Sequence, residues 1–320
     1  MRDQWVGIMA ALLLLVIGIT RLIAWIRRQR TERVMGADDR GTPHFGYGEY
    51  ERALSAVGGK VPYEPGKAQY LVARAAASIE TGDYLPALAD LTEAIALEPR
   101  AAELYIFRAS IHETRYEWRS AIENYTKALE LQPASGRTLA KRAYARLMCG
   151  SFDEAIKDLA GTSEWIPGGV HGYTNRGYAY LMKGEIDQAI EDLTRAIEEG
   201  GTIGIAYLNR GVAFRWKGES DLAEADYLRA TEVYPDMANA HAGLGVLKAQ
   251  SGDLAGAVEH FNVAIACRPT YATGYLSRGE VKLRLGDDAG ANADFECAAR
   301  YADDLVTLSL ARKMLNGSSK

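Results

Sequence analysis

The sequence predicts an all-α solenoid: seven helix–turn–helix repeats stacked in a row, closed by a capping helix and preceded by one transmembrane helix. Three observations predict it. A period of 34 residues runs from Ala68 to Leu305 through seven copies without an insertion or deletion. A fixed period of this length is the signature of a stacked-repeat array. Small residues recur in each copy at the spacing of one helix face, and an apolar run occupies Trp5–Ile26.

In chain order, residues 1–30 read as a membrane anchor with a basic flank. Trp5–Thr20 is sixteen residues without a charge, and Trp5–Ile26 makes 22. At 1.5 Å per residue that is roughly 33 Å of helix, enough to span a bilayer. Arg21 lies near one end, where its stem can snorkel, and Trp5 and Trp25 stand at the two interfaces. Arg21, Arg27, Arg28, Arg30 and Arg33 all follow the apolar core, which orients that flank, and the array behind it, toward the cytoplasm. The competing reading is a cleaved leader and an exported array; the long apolar core and the missing small-x-small site argue against it.

Residues 31–67 read as a linker. Gly36–Lys67 carries seven Gly and three Pro, the composition of a flexible tether. Within it, 48–67 is a degenerate half-repeat, with Gly48, Tyr50, Ala53 and Pro65 in phase with the copies that follow.

The repeats are 68–101, 102–135, 136–169, 170–203, 204–237, 238–271 and 272–305. Position 20 is alanine in all of them, from Ala87 to Ala291, and position 8 is always Ala or Gly. Position 24 is large: Leu91, Tyr125, Leu159, Leu193, Tyr227, Phe261, Phe295. Positions 20, 24 and 27 share one helix face, and the small residues let two helices approach around the large one. Gly at position 15 in six copies supplies a turn, and Pro at position 32 in five stops the second helix. Residues 306–320 read as a capping helix, Val306–Leu315, with Thr307, Ser309, Arg312 and Lys313 outward, and a short tail.

This pattern resembles the tetratricopeptide repeat, with Tyr105, Tyr173, Tyr207 and Tyr275 at the family's aromatic position 4. The resemblance implies a right-handed superhelix whose concave face holds a peptide segment of a partner protein, without catalysis. In the family the ligand face comes from positions 2, 5, 9, 12 and 13 of each first helix. Carried over, it places Tyr144, Met148, Tyr178, Met182, Leu208, Val212 and Trp216 in a central apolar groove, with Leu147 and Leu181 as further members that can instead pack inward. Glu80, Ser110, Glu113, Asn239, Gln250, Glu280 and Arg284 form its polar rim. No copy has the Lys and Asn of the carboxylate-binding subtype at positions 5 and 9.

A second recurrence departs from the family. Position 7 is Arg in six copies and position 23 is Asp in five. The pairs Arg142–Asp158, Arg176–Asp192, Arg210–Asp226 and Arg278–Asp294, with Arg74–Asp90, read as a structural ladder within or between hairpins; an acidic ligand is the functional alternative. The sixth copy loses both members, having Leu244 and His260.

Composition bounds the rest. The apolar fraction of 48% suffices for a continuous core. Residues 1–40 carry seven Arg against four acids, and the remaining 280 carry −8, which argues against a nucleic-acid binder with its basic stripe. Cys149, Cys267 and Cys297 lie in different repeats and read as small buried hydrophobes, with disulfide or metal roles as the alternative. The five histidines form no metal or triad motif, and neither cofactor nor metal is implied. The functional expectation is a membrane-anchored, non-enzymatic scaffold, in bacterial envelope assembly or its regulation by the resemblance. The alternatives are an exported array in secretion, pilus or cell-wall assembly, and a self-associating structural element.

Overall fold

A hairpin that is apolar along one face of each helix cannot bury that face alone, so each repeat must lean on the next. The computed structural model describes residues 52–53, 67–160, 170–200 and 204–317. All of these lie in the unit Phe45–Lys320; the unit Met1–His44 falls wholly outside the described residues. The expected transmembrane helix 5–26 and nearly all of the linker and half-repeat are therefore outside them. No helix among the described residues is long and apolar enough to cross a membrane.

Fifteen helices and no strand are described. The first helices of the seven repeats are α1 (Ala68–Glu80), α3 (Ala102–Thr114), α5 (Gly136–Met148), α7 (Val170–Lys183), α9 (Gly204–Lys217), α11 (Ala238–Ser251) and α13 (Ala272–Arg284). The second helices are α2 (Tyr84–Leu97), α4 (Trp118–Leu131), α6 (Phe152–Ala160), α8 (Ile186–Gly200), α10 (Ser220–Val233), α12 (Leu254–Cys267) and α14 (Asp288–Tyr301). A last helix, α15 (Leu305–Gly317), follows. Helices α2, α4, α10 and α12 each end two residues before a proline, which cannot extend the ladder. At α12 and α14 the carboxylates of Asp253 and Asp287 accept from the backbone N–H of Gly256 and Gly290 at 2.9 Å, capping the first turn. Ala53, at position 20 of the half-repeat, is fully buried against the first repeat.

The core runs along the array as linked clusters. Every position-20 alanine is fully buried, and the position-24 side chains fill the space between helices. The fit opposite position 8 is close. A Cβ added to Gly177, Gly211, Gly245 or Gly279 would come within 2.6–2.9 Å of Leu193, Tyr227, Phe261 or Phe295.

The turn in repeat 2, which has no position-15 glycine, holds Tyr116 in the left-handed conformation at φ 59°. Two expectations are corrected. Cys149 and Cys267 are exposed and Cys297 is half-buried, so they are not core hydrophobes; all three are free thiols. The capping helix starts one residue early and turns differently from the forecast: Thr307 is buried at 5%, while Leu305 and Val306 are 83% and 69% exposed. Asp304 accepts the Thr307 N–H at 2.7 Å, which draws that residue inward. Ser309, Arg312 and Lys313 do face outward.

Candidate functional site

First helices of successive repeats touch one another from α5 through α7, α9, α11 and α13 to α15, forming a continuous inner layer. Surface along that layer is shared by several repeats, so a ligand there reads the array rather than one hairpin.

Position 13 is the last or next-to-last residue of each first helix, and in repeats 3 to 5 its side chain reaches solvent. Met148, Met182 and Trp216 are 38%, 45% and 50% exposed, in three successive repeats. One turn earlier, Tyr144, Tyr178 and Val212 are half-buried and form a floor. Tyr144 meets Trp118 edge-on at 5.9 Å between ring centroids, and Trp118 meets Tyr116 at 5.8 Å. Tyr178 packs on the cluster of Ala143, Leu147 and Leu159, and its burial pushes the phenol pKa up. Leu208 packs near Ala230, Met237 and Ala240, and Val212 lies between two core clusters. Leu147 and Leu181 are core residues, at 5% and 3% exposure. The apolar stripe thus narrows to position 13, with positions 5 and 9 beneath it.

The rim also differs from expectation. Glu80, Gln250, Glu280 and Arg284 are exposed and Asn239 is half-buried. Ser110 and Glu113 are buried, at 4% and 2%, and are not rim residues. Ser110 Oγ donates to the Phe107 carbonyl at 2.7 Å, and Lys141 Nζ lies 3.9 Å from Glu113.

Sequence reasoning missed the edge beside the stripe. Lys183 Nζ bridges Glu185 of its own repeat and Asp153 of the repeat before, at 2.6 and 2.7 Å. Lys217 does the same with Glu219 and Asp187, at 3.4 and 3.1 Å. The signal was present as a Lys, Glu and Asp repeated at the 34-residue period.

In five hairpins the arginine of position 7 and the aspartate of position 23 meet within the hairpin. Arg210 Nε and Nη2 donate to Asp226 Oδ2 and Oδ1 at 2.7 and 2.8 Å. Arg74–Asp90, Arg142–Asp158, Arg176–Asp192 and Arg278–Asp294 form the same two-point contact at 2.6–2.9 Å. The third arm reaches the preceding repeat: Nη1 of Arg108, Arg142, Arg210 and Arg278 donates to Thr92, Thr126, Thr194 and Asn262. Each of these guanidinium groups therefore ties its own hairpin to its neighbour. The carboxylate hydrogen bonds raise the pKa of Arg176, Arg210 and Arg278, whereas Arg108, paired with neutral Asn124, is lowered by burial. With all three arms engaged and the aspartates buried, Arg142, Arg210 and Arg278 are occupied by the fold rather than open to an acidic ligand.

No cluster of three or more His, Cys, Asp or Glu arranged for a metal occurs among the described residues. Two family profiles, each described as tetratricopeptide repeat, match residues 216–272 and 170–199. No curated protein matches the chain. Among solved structures it is similar to a tetratricopeptide repeat protein from Parabacteroides merdae ATCC 43184, at 20% identity and a TM-score of 0.68, covering 79% of this chain and 99% of that one. It is also similar to a chain of the APC/C hetero-tetramer Cut9–Hcn1, at 15% identity and a TM-score of 0.64, covering 85% of this chain and 54% of that one. Yeast Tom70 follows at 19% identity and a TM-score of 0.56, covering 79% and 53%. The chain spans about half the length of the latter two. Likeness at such identities is likeness of fold.

Proposed function

We propose that the chain, a helical-repeat array of which two stretches match tetratricopeptide-repeat profiles, is a non-enzymatic scaffold. It takes a segment of a partner protein along the inner face of repeats 3 to 5. The observation that carries this reading is the run of Met148, Met182 and Trp216, each more than a third exposed at the same position of successive repeats. Among the described residues this run is left more than a third uncovered by the rest of the array. Met adapts to irregular partners, and Trp is a frequent interface anchor. The half-buried Tyr144, Tyr178, Leu208 and Val212 support the anchors from below.

The apolar segment 5–26 tethers this surface to a bilayer, with the array on the cytoplasmic side, as the arginine flank favours. Tethering raises the local concentration of the groove, so a micromolar affinity, about −8 kcal/mol, is sufficient for recruitment. A place beside envelope machinery follows only from the resemblance. Protease added outside sealed inverted vesicles should digest the array; protection in inverted vesicles and digestion in right-side-out ones would place it on the exported side.

The test of the groove is affinity capture from native membranes with the full chain and a Met148→Ala/Met182→Ala/Trp216→Ala variant of unchanged helical circular dichroism. The expected result is a partner lost only by the variant. Identical partner sets would remove the groove from consideration. A second reading, self-association, is favoured by the apolar residues Leu305, Val306 and Leu310 left exposed on α15. A mass that stays monomeric across a wide concentration range in sedimentation would dispose of it.

A further inference from the structure

Repeat 6 lacks the ladder that ties the other hairpins. At position 7 it has Leu244, and at position 23 His260. The same repeat carries His241 at position 4, where four other copies have tyrosine. The two imidazoles, one on α11 and one on α12, stack with centroids 6.2 Å apart and planes 28° from parallel.

His241 has inherited the hydrogen bond of the tyrosines. The hydroxyls of Tyr105 and Tyr275 donate to the carbonyls of Pro99 and Pro269 at 3.2 Å, and His241 Nε2 lies 3.0 Å from the Pro235 carbonyl. A carbonyl only accepts, so Nε2 carries the proton and Nδ1 the lone pair. That Nδ1 is buried and has no hydrogen-bond partner. A second proton would create a buried N–H with no acceptor, beside another imidazole.

The surrounding charges do not help. At position 11, Arg146 and Lys282 reach the ladder aspartates Asp158 and Asp294 of their own hairpins. The equivalent Lys248 finds His260 at position 23 and turns to Glu224 of α10, at 2.9 Å. Burial, then His241 and Lys248, lower the pKa of His260, and Glu259 and Glu224 only partly oppose them. On the α13 side, Arg278 is engaged by Asp294 and Asn262.

We propose that the α11–α12 hairpin is a pH-sensitive joint: proton uptake by the His241–His260 pair loosens it while the laddered repeats on either side stay closed. The sign follows from the neutral pair being the one the fold accommodates. Stability from neutral His260 is complete above the ordinary histidine value of 6.5 and is lost as pH falls through its depressed folded value.

The test is amide hydrogen exchange on the full chain at about pH 7.5 and about pH 5.5, corrected for the intrinsic rate. Acidification should cut protection in α11 and α12 at least about fivefold more than in α9 and α10. His260→Gln should abolish that excess. So should the repaired hairpin His241→Tyr/Leu244→Arg/His260→Asp, which carries the residues of repeats 5 and 7. A uniform response along the wild-type array, or an excess that persists in His260→Gln, overturns the proposal.

Discussion

Tyr116 sits at φ 59°, in the turn where the other six repeats place glycine at φ 74° to 91°. A side chain there costs about 1 kcal/mol through crowding of Cβ against the backbone. The edge contact with Trp118 offsets part of that. Tyr116→Gly is expected to raise the urea midpoint by an amount equivalent to about 0.5–1 kcal/mol. No gain would mean that the aromatic contact outweighs the strain. The opposite case is Gly211, where a Cβ would come 2.8 Å from the Tyr227 ring. Gly211→Ala gains helix propensity but forces a packed aromatic to move, so a net loss of about 1–3 kcal/mol is expected in the same measurement. Both residues were visible as repeat positions. The direction of the effect was not, because it depends on what the neighbouring helix places opposite.

The recurring element is a hairpin bolted to the one before it by an arginine. Asp226 is 4% exposed, so Arg210→Ala leaves a buried carboxylate without its two-point partner. The expected loss is about 3–5 kcal/mol, whereas Arg210→Met/Asp226→Leu should be close to neutral or stabilising. Equal losses in the two variants, by denaturant midpoint, would show that the ion pair itself stabilises the fold. The pairing was legible from co-occurrence at positions 7 and 23, because loss of both in one copy is what a contact leaves behind. Whether it joined helices within a hairpin or across hairpins was open. The structure has both, since Asp satisfies two arms and the third reaches the preceding Thr or Asn. In repeat 3, α6 is described over Phe152–Ala160, and the expected closing residue Pro167 lies outside the described residues.

At the scale of the array, what matters is which residues remain uncovered when seven hairpins are stacked. The stripe of Met148, Met182 and Trp216 is apolar, and the lysines beside it are already held by Asp and Glu. Affinity for the proposed partner segment is therefore expected to change little between about 0.1 and 0.5 M salt, because screening acts on charge and not on apolar burial. A steep fall with salt, measured by titration calorimetry, would move the binding surface to the charged edge. Removal of α15 should destabilise repeat 7, since Ala311 and Met314 pack against Phe295 and Ala298.

An unbroken 34-residue period was enough by itself to predict stacked helical hairpins and the Arg–Asp pairing. It could do so because each repeat needs the same small, large and turn residues to cover its neighbour. Only the tertiary structure decided exposure. Leu147 and Met148 are adjacent and equally apolar, yet one is core and the other surface. Thr307 is buried while Leu305 is not, and Glu113 is hidden while Glu80 is open. Chemistry alone cannot separate such pairs: burial follows from the rotation of each helix against its neighbours, which residues 34 and more positions apart set together.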